Sequence, residues 1–104
     1  MFSSKPYKRA QRVSDSLRKE IAHIFTFEIS DPRLKNLTVT QVSLSDDLSS
    51  AKVFHLNLKI NKDTQEIELA LEKSKSFVKK KLGKNIKLKK IPELLFFLEE
   101  EDSI

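Results

Sequence analysis

The apolar residues of this 104-residue chain change their period three times, and few folds accommodate that order. They begin at helical spacing, with Ala10, Val13, Leu17, Ile21, Ile24, Phe25 and Ile29 on one stripe. Arg9, Arg12, Ser16 and Lys19 line a separate, polar face. Pro6 is tolerated only in a first turn, so this helix is expected to begin near Ser4 to Tyr7. It is expected to stop by Asp31-Pro32, because proline disfavours helical backbone in the residue before it.

The period then falls to two. Leu37 to Leu44, LTVTQVSL, is rich in β-branched residues and reads as a strand. Its apolar parity changes between Val39 and Val42, which predicts a bulge or burial on both sides. Ser45-Asp46-Asp47 supplies turn chemistry. A second strand is expected from Ala51 to Ile60, with Phe54, Leu56, Leu58 and Ile60 on its apolar face. Lys52, Val53, His55, Asn57 and Lys59 fall between them. The short connection makes these two strands an antiparallel hairpin.

Helical spacing returns with Ile67, Ala70, Leu71, Ser74, Phe77, Val78 and Leu82. Asn61 to Thr64 is expected to cap this helix, with Asp63 and Glu66 spaced like a capping box. Glu66, Glu68 and Glu72 come early and Lys79, Lys80 and Lys81 late, a polarity that suits the helix dipole. Gly83, the chain's single glycine, is expected just past the helix end. A third strand is expected from Ile86 to Leu98, interrupted around Pro92, which cannot donate a ladder hydrogen bond. The predicted class is α+β, with a three-stranded sheet and both helices on one face. The other sheet face, carrying His55 and Lys52, is expected to be open. Phe25, Phe54, Phe77 and Phe96 all sit on apolar stripes and are expected in the core. Truncating Phe77 to Ala there would cost roughly 3–5 kcal/mol. Tyr7 and one of Phe96-Phe97 are the aromatics left to stack on a base.

Charge points to partners. The formal net charge is +5, and nine lysines lie between Lys73 and Lys90 with no acidic residue among them. Fixed ammonium groups on a folded surface displace the counterions condensed on a polyanion. The plain alternative is a solvated face. Glu99 to Asp102 form an acidic end, expected as a short tail (99–104) after a single domain (1–98).

Much chemistry is excluded. Without cysteine there is no disulfide, thiolate nucleophile or Cys-based zinc site, which suits a reducing cytosol. One glycine allows no phosphate-cradling loop of the P-loop kind. His23 and His55 have neither metal-ligand spacing nor a carboxylate pair. No enzyme activity, metal, cofactor or small-molecule substrate is expected. No apolar run approaches the roughly 18–20 residues of a membrane span, and MFSSKPYKR lacks the apolar segment of a secretory signal.

Several separated pieces carry a family resemblance: Arg9 and Arg12 leading into RVSDSLRKEIAHIF, Asp31-Pro32-Arg33, LTVTQVSLSDDLSSAKVF from Leu37 to Phe54, and Pro92-Glu93-Leu94-Leu95-Phe96. In their order and spacing they make the chain resemble bacterial ribosome-binding factor A over nearly its whole length. The resemblance implies a type II KH-like fold with a kinked second helix. It also implies a cytoplasmic, monomeric factor that binds 16S rRNA on the free 30S subunit, promotes precursor rRNA processing and supports growth in the cold. The family interrupts its second helix with an Ala-x-Gly element; here the matching positions are Ser74-Lys75-Ser76. A Gly-x-x-Gly clamp on single-stranded RNA is impossible with one glycine. The expected RNA-binding residues are Arg9, Arg12, Lys73, Ser74, Lys75, Ser76, Lys79, Lys80, Lys84, Lys87 and Lys89, while Arg33 can fork onto phosphates or guanine edges. Two other readings stay open: a general KH-like module acting on messenger or transfer RNA, and a protein-interaction domain whose lysines keep it soluble.

Overall fold

The computed structural model describes residues 9–35, 37–57 and 64–99. Outside these lie the expected start of the first helix, the cap residues Asn61 to Asp63, the positions Leu58 to Ile60 and the tail beyond Glu99. Helix α1 spans Arg9–His23 and buries Ser14, Leu17 and Ile21. It continues into one wider turn, Ile24–Glu28, where the Ile29 N–H reaches back to the Ile24 carbonyl at 3.0 Å. The turn tucks Ile24 and Phe25 into the core and leaves Phe27 74% exposed. Winding ends before Asp31-Pro32, as the proline requires. Asp31 then caps a short 3-10 turn, Pro32–Leu34, by accepting from the Arg33 N–H at 2.9 Å.

Strand β1 (Leu37–Leu44) runs antiparallel to β2 (Ser50–Asn57). The register steps from Val39 opposite His55 to Gln41 opposite Phe54, so Thr40 is the extra residue of a bulge. The bulge puts Leu37, Val39, Val42 and Leu44 all on the helix side, although their spacing breaks strict alternation. Strand β3 (Glu93–Leu98) pairs parallel with β2, giving the order β1-β2-β3. Helix α2 (Thr64–Asn85) makes the crossover that a parallel pair needs. The order is the one expected.

The core lies between the helices and one face of the sheet. Leu17, Ile21, Ile24, Leu34, Leu71, Leu82, Val53, Val78 and Leu94 are fully buried there. Each such side chain contributes about 1.5–3 kcal/mol over an exposed one. Pro92, also buried, leads into β3.

Four expectations are corrected. First, the buried face of β2 carries Ala51, Val53 and His55, not Phe54 and Leu56. The larger pair lies on the open face, where Phe54 stacks on Phe97 with centroids 5.7 Å apart and planes 29° apart. His55 is 3% exposed, so only Lys52 of the two expected residues is open. Second, no strand begins at Ile86. The Ile86 N–H continues the helical pattern to the Leu82 carbonyl (2.8 Å), and Leu88 N–H closes a tight turn on Ile86 (3.2 Å). Strand β3 starts where β2 first offers a partner, Ser50 opposite Glu93. Third, Gly83 lies inside α2, which runs two residues further, to Asn85, without interruption at Ser74–Ser76. Ser74 Oγ donates to the Leu71 carbonyl at 2.8 Å, a back-bond that leaves the helix continuous. Fourth, Phe77 stands at the edge of the buried stripe, 38% exposed.

Candidate nucleic-acid interface

The outer side of α2 follows from its inner one. With Ile67, Ala70, Leu71, Ser74, Val78 and Leu82 buried, the residues half a turn away must face out. Lys73, Phe77, Lys80 and Lys84 do so, three or four residues apart along one stripe, with exposed Ser76 beside them. The loop after α2 adds exposed Lys87, Lys89 and Lys90. Among the described residues, none of these six lysines has a carboxylate within ion-pair distance. Unpaired ammonium groups keep their full charge for a polyanion.

Packing of α1 beside the end of α2 extends this surface. Arg9, Arg12, Ser16 and Lys19 face Asn85, Ile86, Lys87 and Leu88 across an open groove of about 670 Å³. Among the described residues, four cations meet there against one carboxylate, that of Glu20. Asn85 Nδ2 donates to Glu20 Oε2 at 2.7 Å, an exposed bond that ties the two helices together. Arg9, Arg12 and Lys87, far apart in sequence, are thus brought to one place. Lys19 belongs with them and was absent from the expected set. Its spacing from Arg9, Arg12 and Ser16 on a polar helix face was the available signal.

Other expected residues are placed differently. Ser74 is 9% exposed with its hydroxyl committed to Leu71, so it does not face out. Lys75 Nζ sits 3.0 Å from Glu72 and 6.0 Å from the Phe96 ring centroid, on the side of α2 turned towards the sheet. Lys79 makes a longer contact, 3.4 Å, to Glu93. Lys81 is held by Glu28 at 2.9 Å and lies over the Phe77 ring at 5.5 Å. Arg33 is a fork already closed: Nε and Nη2 donate to Asp31 at 3.1 and 2.8 Å. These bonds hold the Asp31 carboxyl below the usual carboxylate range. The cationic surface without ion pairs is narrower than the lysine count: among the described residues it comprises Arg9, Arg12, Lys73, Lys80, Lys84, Lys87 and Lys89, with Lys19 and Lys90 beside them.

Charged side chains arrayed on an open surface can bind and orient a polyanion. Among the described residues no group of three metal-ligating side chains comes together. No helix there is long and apolar enough to cross a membrane.

Comparison with known proteins adds independent evidence. The family model described as ribosome-binding factor A matches residues 9–103. Ribosome-binding factor A of Syntrophus aciditrophicus is 42% identical over 90 residues, covering 86% of this chain and 73% of that protein. Among solved structures, the solution structure of a Thermotoga maritima protein described as a putative ribosome binding factor A superimposes with a TM-score of 0.78. It is 25% identical and covers 98% of this chain and 97% of that one. A Thermus thermophilus ribosome binding factor A homology model, fitted into the cryo-EM map of a 30S–RbfA complex, gives a TM-score of 0.66 at 25% identity. It covers 81% of this chain and 88% of that one. The shared fold is the KH-like arrangement of two helices on a three-stranded sheet. The chain belongs to the ribosome-binding factor A family.

Proposed function

We propose that this protein binds the free small ribosomal subunit through 16S rRNA and promotes its late maturation and precursor processing without catalysis. The observation that carries the reading is the unpaired cationic surface running from the outer stripe of α2, through the Lys87–Lys90 loop, to the α1 groove. The fitting of a related factor into a 30S complex supports the same partner. Lysines contribute affinity with little base discrimination, so specificity comes from the shape of the folded rRNA. Arg9 and Arg12 add the bidentate contacts. Binding favours one rRNA arrangement over another by the difference in affinity for the two, which is all a non-catalytic factor needs. The protein acts as a monomer in the cytoplasm, where such subunits mature, and its effect is largest in the cold, when wrong rRNA arrangements are escaped slowly.

Gradient sedimentation of cell extract tests this directly. The protein should migrate with free small subunits and leave complete ribosomes almost unoccupied. Migration with messenger or transfer RNA at the top of the gradient would favour a general RNA-binding module instead.

A further inference from the structure

On the opposite side of α2 from the lysine stripe, the surface reverses its charge. A concavity of about 230 Å³ opens between the first turns of α2 and the ends of β2 and β3. Glu68 and Glu72, four residues apart on α2, project at its rim, and among the described residues that line it none is a lysine or arginine, Lys75 standing just outside. Phe96 forms an aromatic wall and Leu98, 40% exposed, an apolar lip. Among the lining residues is His55, 3% exposed, whose Nδ1 has no hydrogen-bond partner among the described residues. A buried ring nitrogen left unpaired forfeits the hydrogen bond it made to water, so it is expected to meet a partner in the working state.

We propose that this pocket receives an arginine side chain from a basic protein segment. The guanidinium is a planar donor. It can bond the Glu68 and Glu72 carboxylates, lie against the Phe96 ring and direct one N–H to His55 Nδ1. The site already shows this preference within the chain. Lys75 brings its ammonium to 3.0 Å from Glu72 and 6.0 Å from the Phe96 centroid, so two of the pocket's walls attract a cation. Burial pushes the His55 pKa down, which keeps the ring neutral and able to accept at neutral pH. A phosphate would meet two carboxylates here and be repelled, which separates this surface from the one assigned to rRNA. The volume is below the roughly 300–1,000 Å³ of drug-sized sites and suits one side chain rather than a small-molecule cofactor. Helix α2 is thereby two-sided along its length, with an acidic early part for a basic protein segment and a basic late part for RNA.

The test is an NMR titration of the full chain, following the His55 imidazole nitrogens and the Ile67 and Leu71 methyl groups. The probes are three: a blocked Gly-Arg-Gly peptide, the same peptide with neutral citrulline in place of arginine, and adenosine monophosphate. The arginine peptide should shift these resonances saturably, with citrulline weaker by at least roughly tenfold. The double variant Glu68→Gln, Glu72→Gln should lose the same factor, while charge reversal at Lys80, Lys84 and Lys87 should leave the titration unchanged. The two surfaces can therefore fail separately. Equal shifts with citrulline, stronger shifts with the nucleotide, or none with the arginine peptide would each overturn the proposal. His55→Phe reports on the imidazole contact, and the two glutamine substitutions keep the test decisive if that variant does not fold.

Discussion

The Ser14 hydroxyl on α1 accepts a hydrogen bond from the backbone N–H of Leu44 on β1 at 3.0 Å, inside the protein. β1 is an edge strand, and this N–H is a donor that an edge would otherwise leave without a ladder partner. A polar residue on the buried stripe of α1 thus fixes the height of the helix against the sheet, and with it the α1 side of the cationic groove. Ser14→Ala leaves the Leu44 N–H buried and unsatisfied and should cost about 1–3 kcal/mol in urea unfolding. An unchanged midpoint would mean that water replaces the hydroxyl.

Phe77 offers a sharper check on the placement of α2. Its ring is 38% exposed and faces the Lys81 ammonium rather than the core. Phe77→Ala should therefore cost less than about 2 kcal/mol, below the roughly 3–5 expected of a buried phenylalanine. Leu82→Ala, at a fully buried position of the same helix, should cost about 2–5 kcal/mol. Equal losses in chemical denaturation would show that α2 is rotated from the arrangement described.

His55 sets a pH dependence whose sign follows from its burial. Desolvation lowers its folded pKa below the ordinary 6.5. As pH falls through about 6.5, the unfolded chain takes up a proton that the folded protein refuses. Stability is therefore full above that pH and declines below it, until the folded pKa is reached. Thermal unfolding between pH 7.5 and 5.5 should show a fall in Tm, and His55→Phe should flatten it. A stability that rises on acidification over this range would contradict the burial of the ring.

How far the sequence alone carried depends on what each residue touches. The limits and bulge of β1 were legible because Leu37, Val39, Val42 and Leu44 meet one apolar surface, and their spacing records it. The inner face of β2 was not. Its outer face carries the larger apolar residues, Phe54 and Leu56, and Phe54 is covered by Phe97 from a distant strand. The spacing of Ile86 and Leu88 imitated a strand, yet β2 offers no partner before Ser50 meets Glu93. At the interface, the lysine run was plain to read. Which lysines are occupied was not, because Glu28 and Glu93 reach Lys81 and Lys79 only through the fold. The meeting of Arg9 and Arg12 with Lys87 is likewise a product of helix packing.

The central claim is that unpaired cations on α1, on α2 and in the loop after it hold rRNA phosphates. Its most direct test is the affinity for purified small subunits across a range of salt. If Arg9, Arg12, Lys73, Lys80, Lys84, Lys87 and Lys89 each neutralise one phosphate, log K should fall against log salt with a slope near −5, at roughly −0.7 per contact. Reversing the charge of Lys80, Lys84 and Lys87 should bring that slope to about −3 or shallower. A slope near zero for the unaltered protein, or one that the reversals leave unchanged, would contradict the account.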